Sequence, residues 1–113
     1  MRQWEIWRVY WNHGDGTGKE RPALAITTSD QNQKNGYARF IKITGKDHPE
    51  VPCRVVIRST DADFKATGLD YTSWIHYLDD NEIRDAELRR RLGKVSIFTA
   101  TFLKLRFDRW ESQ

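Results

Sequence analysis

HGDGTGKERPALAITT, residues 13–28, decides the fold, because a glycine-rich run followed by lysine and an apolar segment can either cradle a phosphate at a helix start or join two strands. A P-loop carries a glycine five residues before its Gly-Lys pair and a hydroxyl residue after it. Here position 13 is His13, and Lys19 is followed by Glu20. A dinucleotide fingerprint spaces its glycines G-x-G-x-x-G between a strand and a helix, whereas Gly14, Gly16 and Gly18 alternate and lead through Pro22 into the β-prone ALAITT. The segment reads as a flexible strand-to-strand loop, and glycine's tolerance of positive φ suits a mobile hairpin tip.

Outward from that loop the pattern stays β. WEIWRVYW (residues 4–11) alternates bulky apolar and polar positions, and RPALAITT (21–28) gives a second strand. After the polar turn SDQNQKNG come YARFIKIT (37–44), ended by Gly45, and VPCRVVIRS (51–59). A turn at Gly68 precedes a fifth strand over residues 73–78, closed by Asp79 and Asp80. Helix signals then take over. Asp85 is placed to cap a short helix through Arg91, ended by Gly93, and Ser96 to cap a second. In that second helix Phe98, Phe102 and Leu105 recur at helical spacing and read as a core-facing stripe. Short strands suited to antiparallel pairing, followed by a terminal helix, predict a mainly β (α+β) domain: a small curled sheet or barrel with a helix packed on it.

Length and composition bound the rest. A chain of 113 residues makes one domain, 1–113, large enough for a single core. One cysteine, Cys53, excludes an internal disulfide framework, and His13, His48 and His76 show no metal-ligand spacing, so neither a structural metal nor a cofactor is expected. The N-terminal MRQWEIWRVYW breaks its apolar runs with charge and offers neither a signal-peptide core nor a membrane span, which predicts a soluble, cytoplasmic protein. Nineteen Lys and Arg against sixteen Asp and Glu give a net charge of +3, a mild attraction for polyanions. Basic residues gather at Lys42, Lys46, Arg54 and Arg58 and in ELRRRLGK, where Arg89, Arg90 and Arg91 read as a solvated helix face.

The order of motifs adds what pattern alone does not. EIWRVYW, the glycine-rich loop ending in RPALAIT, IKIT, TGL and RRLGKVS succeed one another in an order and at separations that resemble the MazF/PemK family of toxin ribonucleases, over residues 5 to 100 or so. The resemblance implies an SH3-like antiparallel barrel of about five to seven strands with a C-terminal helix. It also implies a homodimer, an antitoxin partner, and metal-independent cleavage of single-stranded RNA by internal 2′-hydroxyl attack. Such cleavage needs a proton acceptor, a cation for the phosphorane and an acid for the departing 5′-oxygen. Arg21 stands where the family keeps its arginine before proline, and its planar fork matches phosphate. Thr44 stands at the family's threonine, at the end of IKIT.

In the fifth strand the resemblance departs. PemK-like members carry an arginine and, two residues on, an aspartate; here those positions are His76 and Leu78, and Asp79 is the nearest carboxylate. A one-residue displacement points Asp79 away from His76 unless a bulge intervenes. His76 can serve as acid or base near neutrality, and the residues leave open whether it is catalytic or structural. His13 and Asp15 are further proton-transfer candidates, and with Thr17, Lys19, Lys42 and Lys46 they make up the RNA-binding surface that the resemblance implies, its loop closing over the sugar-phosphate backbone. Two other functions stay open beside it. One is a non-catalytic, CcdB-like toxin that binds DNA gyrase, with Trp110 in FDRWESQ as the comparable C-terminal tryptophan; the other is a degenerate barrel that binds nucleic acid through basic residues and exposed aromatics such as Trp11 and Tyr37.

Overall fold

A computed structural model describes residues 1–111, except for the side chains of residues 29, 31, 32 and 109–111; the side chain of Trp110 thus lies outside the described residues. Six strands form one antiparallel sheet: β1 (Glu5–Asn12), β2 (Gly18–Ala25), β3 (Ala38–Thr44), β4 (Arg54–Ile57), β5 (Ser73–Ile83) and β6 (Leu88–Lys94). Their order in the sheet is β4-β5-β3-β2-β1-β6. Three helices accompany them: α1 (Ser29–Asn35), the single turn α2 (Phe64–Thr67) and α3 (Ile97–Glu111). The predicted class holds, but the sheet is not closed into a barrel by hydrogen bonds, since β4 and β6 are its two edges. Instead α2 packs across onto β6. Gly68, in the left-handed region at φ 71°, ends α2 so close to β6 that an added Cβ would lie 2.0 Å from the Leu92 carbonyl oxygen.

Because side chains alternate along a strand, each strand feeds both faces of the sheet. Ile6, Leu24, Ile41, Ile43 and Ile75 build one core, which Ala100 and Leu103 of α3 cover. Val9, Trp11, Ala23, Ala25, Phe40 and Ile83 build a second on the opposite face. Trp11 is buried in that second core, so it is not the exposed aromatic platform expected of it. Among the described residues, no helix is long and apolar enough to cross a membrane.

Several predicted boundaries move. β2 begins at Gly18 rather than residue 21, because Lys19 and Glu20 already pair with Trp11 and Tyr10. The polar segment expected to be a turn holds α1, and the fourth strand keeps only Arg54–Ile57. β5 runs on through Asp79 and Asp80 to Ile83. The helix expected over residues 85–91 is a 3-10 turn at Asp85–Glu87 followed by β6, which pairs with β1. A spacing of four between Leu88 and Leu92 fits a helix and a strand alike; pairing with β1 decides the outcome, and two register shifts in that pairing put Leu88 against the second core and Leu92 against the first.

The terminal helix is capped as the sequence predicts, Ser96 Oγ accepting the Thr99 backbone N–H at 3.1 Å. Its inner face differs. Ala100, Leu103 and Phe107 meet the core, whereas Phe98 is 82 % and Leu105 64 % exposed, and Phe102 and Ile97 also face outward. Helical spacing groups residues on one face without saying which face is covered, and α3 carries two apolar faces.

Gly68→Ala should destabilise the protein by more than about 2 kcal/mol, since it combines a positive φ with a backbone collision. An unchanged urea midpoint for this variant would contradict the packing of α2 on β6.

Candidate active site

The pairing of β2 with β3 places the key groups. Ala23 lies opposite Lys42, so Arg21 continues the row of Ala23 and Ala25, while Lys42 and Thr44 continue that of Ala38 and Phe40. On the other side of β3, Lys42 faces His76 and Thr44 faces Trp74. Arg21, Thr44, Lys42 and His76 therefore share one sheet face, at the end of the second core.

Arg21 and Thr44 line one depression together with Arg8, Lys19 and Arg90, tempered by the acids Glu20 and Asp70. Arg21 is only 8 % exposed, and its Nε has no hydrogen-bond partner among the described residues. Burial pulls its pKa down and Asp79 pulls it partly back, yet a guanidinium stays charged at any working pH. A buried donor without an acceptor costs about 1–3 kcal/mol, a cost that an anion from outside the chain would offset. The Thr44 hydroxyl oxygen accepts the Lys46 backbone N–H at 3.3 Å, which leaves its own hydrogen to donate.

A second depression is lined by His76, Lys42, Asp79, His48 and Cys53. Between Ile41, which faces Asp80, and Lys42, which faces His76, the β5 residues Tyr77, Leu78 and Asp79 have no counterpart on β3. This wide bulge is the irregularity that the displaced carboxylate requires, and it brings Asp79 back to the depression that holds His76. Asp79 Oδ2 lies 3.7 Å from Lys42 Nζ. His76 is 4 % exposed, its Nε2 has no partner among the described residues, and its ring meets that of His48 edge-on with centroids 5.8 Å apart. Glu50 Oε1 lies 3.1 Å from His48 Nδ1. Burial above all, then the cation of Lys42 and the His48 ring, lower the His76 pKa from its ordinary 6.5, against a weaker pull upward from Asp79. His76 is thus a neutral imidazole at pH 7.

The loop residues lie elsewhere. His13, Asp15 and Thr17 sit exposed at the β1–β2 hairpin tip and line neither depression. The tip is laced to itself: Asp15 Oδ1 accepts the Thr17 backbone N–H at 2.9 Å and its hydroxyl at 2.5 Å, which lowers the Asp15 pKa. Gly14 and Gly16 take φ of 87° and 89° to allow this turn. Lys46 is exposed and also lines neither depression, so of the predicted RNA-binding residues only Lys19 and Lys42 join the site.

Sequence reasoning missed Arg8, Arg90, Tyr71 and His48. Arg90 was hidden by the helical reading of ELRRRLGK. In β6 it faces Arg8, whereas Arg89 reaches Glu20 at 3.4 Å and Arg91 reaches Glu5 at 2.5 Å. Among the described residues, no three His, Cys, Asp or Glu side chains converge as metal ligands.

The fold is thus a small antiparallel β domain in which a buried arginine, with no partner for its Nε among the described residues, lines a depression with Thr44, and His76 lines a second one on the same sheet face. Residues 2–105 match the PemK-like, MazF-like toxin family of type II toxin-antitoxin systems, and the chain belongs to that family. Among curated protein sequences none matches it. Solved structures share its fold at low identity. An endoribonuclease in complex with its cognate antitoxin from a mycobacterial species is 16 % identical with a TM-score of 0.67, over 92 % of this chain and 87 % of that one. The toxin MazF-mt6 of Mycobacterium tuberculosis is 17 % identical with a TM-score of 0.66, over 88 % of each chain. A chain of the MazE–MazF crystal structure from Deinococcus radiodurans is the same kind of match, 12 % identical with a TM-score of 0.71, over 100 % of this chain and 97 % of that one.

The lowered pKa of His76 has a consequence for stability. Below pH 6.5 the unfolded chain binds a proton that the folded chain resists, so stability is complete above that pH and falls as pH drops toward the folded pKa. Urea midpoints at pH 7.5 and 5.5 should show this loss in the native protein and a smaller one in His76→Gln. Equal losses in the two proteins would remove His76 as its source.

Proposed function

We propose that this chain is the toxin of a type II toxin-antitoxin system and acts in the cytoplasm by cutting single-stranded RNA, a cleavage that needs no metal and stops translation and growth. The observation that carries the reading is Arg21: a buried guanidinium whose Nε lacks a partner among the described residues, in a basic depression shared with Thr44. Arg21 binds the scissile phosphate with its planar fork, and the Thr44 hydroxyl donates to a second phosphate oxygen. The neutral His76 takes the proton from the ribose 2′-hydroxyl, and the 2′-oxygen attacks phosphorus. The P–O5′ bond breaks and the 5′-oxygen takes a proton from the Lys42 ammonium, held near Asp79, leaving a 2′,3′-cyclic phosphate and a 5′-hydroxyl. Arg21 contributes most where the phosphorane gains charge.

Two partners go with this reading. The exposed Ile97, Phe98 and Leu105 of α3 form an apolar strip of the kind that monomers rarely leave uncovered, and a second copy of the chain covers it. An antitoxin segment, acidic and disordered when free, lies across the basic depression and excludes RNA.

Arg21→Ala should slow single-turnover cleavage of a short RNA in EDTA by roughly two to three orders of magnitude, and Arg21→Lys should recover little. His76→Gln should also lose the acid limb of the pH–rate profile. Full activity in a folded Arg21→Ala protein would refute the phosphate site, and RNA bound but uncut by the native protein would favour the degenerate binding domain. For the dimer, sedimentation at micromolar concentration should give two chains for the native protein and one for Phe98→Glu. A native monomer would contradict the α3 interface.

A further inference from the structure

Tyr71 is 62 % exposed, and among the large apolar side chains of the described residues that stand open to solvent it is the aromatic that does not belong to α3. It lines the depression of Arg21 and Thr44. Its ring lies directly against Gly45, the residue after Thr44: a Cβ added to Gly45 would be 2.1 Å from Tyr71 Cε2. The backbone beneath it is pinned, since the Ser73 hydroxyl donates to the Tyr71 carbonyl at 2.9 Å. An aromatic that served only to cover Gly45 would need one face, and this one offers much of its surface to solvent beside Arg8, Lys19, Arg21 and Arg90.

From this arrangement we infer that Tyr71 is a stacking platform for a nucleobase next to the scissile phosphate, a binding subsite within the site proposed above and resting on that reading. The chemistry is complementary. The cations hold the phosphate, while the base attached to the neighbouring sugar needs an apolar face at the rim, which the Tyr71 ring supplies. Gly45 makes the platform possible, because a side chain at that position would lift the ring off the Thr44 turn. Every base has a π-face, so the platform tolerates any sequence and contributes affinity more than choice of base. It also orders the strand so that a single phosphate meets Arg21 and Thr44.

The test uses the whole protein and a short 2′-O-methyl RNA, which lacks the nucleophile and stays intact. Tyr71→Ala should weaken binding roughly 5- to 150-fold, and Tyr71→Phe should restore it. An abasic scan of the oligonucleotide gives the readout that a structural role would not move. At one position, removing the base should cost the native protein a similar factor and cost Tyr71→Ala almost nothing, a coupling confined to that nucleotide. The salt dependence should be the same in both proteins, since no phosphate contact is lost. Unchanged affinity in Tyr71→Ala would overturn the platform, as would a loss that adds to the abasic loss at every position. If the native protein binds and Arg21→Ala does not while Tyr71→Ala binds normally, the platform alone fails. If the native protein neither binds nor cuts RNA, the proposed function fails and the platform with it.

Discussion

The register of β2 on β3, with Ala23 opposite Lys42, is the constraint on which the rest of the structure depends. Side chains on a strand alternate with a period of two, so a slip by one residue would send Arg21 into the α3-covered core and bring Leu24 to the site face. The two buried rows prevent the slip. Leu24, Ile41 and Ile43 fill one face and Ala23, Ala25 and Phe40 the other, and either set would be misplaced by a shift. The same rows that stabilise the sheet thus fix which face carries Arg21, Thr44, Lys42 and His76, and the functional groups stand where the second core runs out of apolar side chains.

A second constraint acts locally. Regular pairing would alternate the side chains of β5, and the bulge over Tyr77, Leu78 and Asp79 breaks that alternation where Lys42 and His76 face each other. It brings the carboxylate of Asp79 to the depression that His76 and Lys42 line. The histidine changes the chemistry. An arginine in that strand would stabilise charge only, whereas an imidazole whose pKa is lowered by burial stands neutral and has a free lone pair to act as a base.

Much of the fold was legible in the sequence, because strand alternation and glycine or proline punctuation are local signals. The glycine-rich loop, the strands around RPALAITT and IKIT, and the Ser96 cap were all read from neighbouring residues. What was not legible depended on contacts far along the chain. ELRRRLGK fits a helix as well as a strand until β1 is seen beside it, and Phe98, Phe102 and Leu105 fit a core stripe until Ala100 and Leu103 are seen to occupy the core. The site divides in the same way. Arg21 and Thr44 carry motif signals, and the structure brings them to one depression. Arg8 and Arg90 lie within EIWRVYW and RRLGKVS but no local signal sets them apart, and Tyr71 and His48 lie outside the motifs; pairing and loops bring the first three to that depression and His48 to the one beside His76. The hairpin tip, with the strongest composition signal, lies outside both depressions, since glycines at positive φ need only a turn to explain them.

The central claim is that a sheet face with Arg21, Thr44 and His76 promotes attack by a ribose hydroxyl on the adjacent phosphorus. It is tested most directly by mapping one cut in a short RNA and then replacing the 2′-hydroxyl of the nucleotide on its 5′ side by hydrogen. The account predicts that the all-ribose strand yields a 2′,3′-cyclic phosphate and a 5′-hydroxyl, and that the single deoxy substitution abolishes the cut while leaving binding intact. Cleavage of the deoxy strand at the same position, or products ending in a 5′-phosphate, would contradict it.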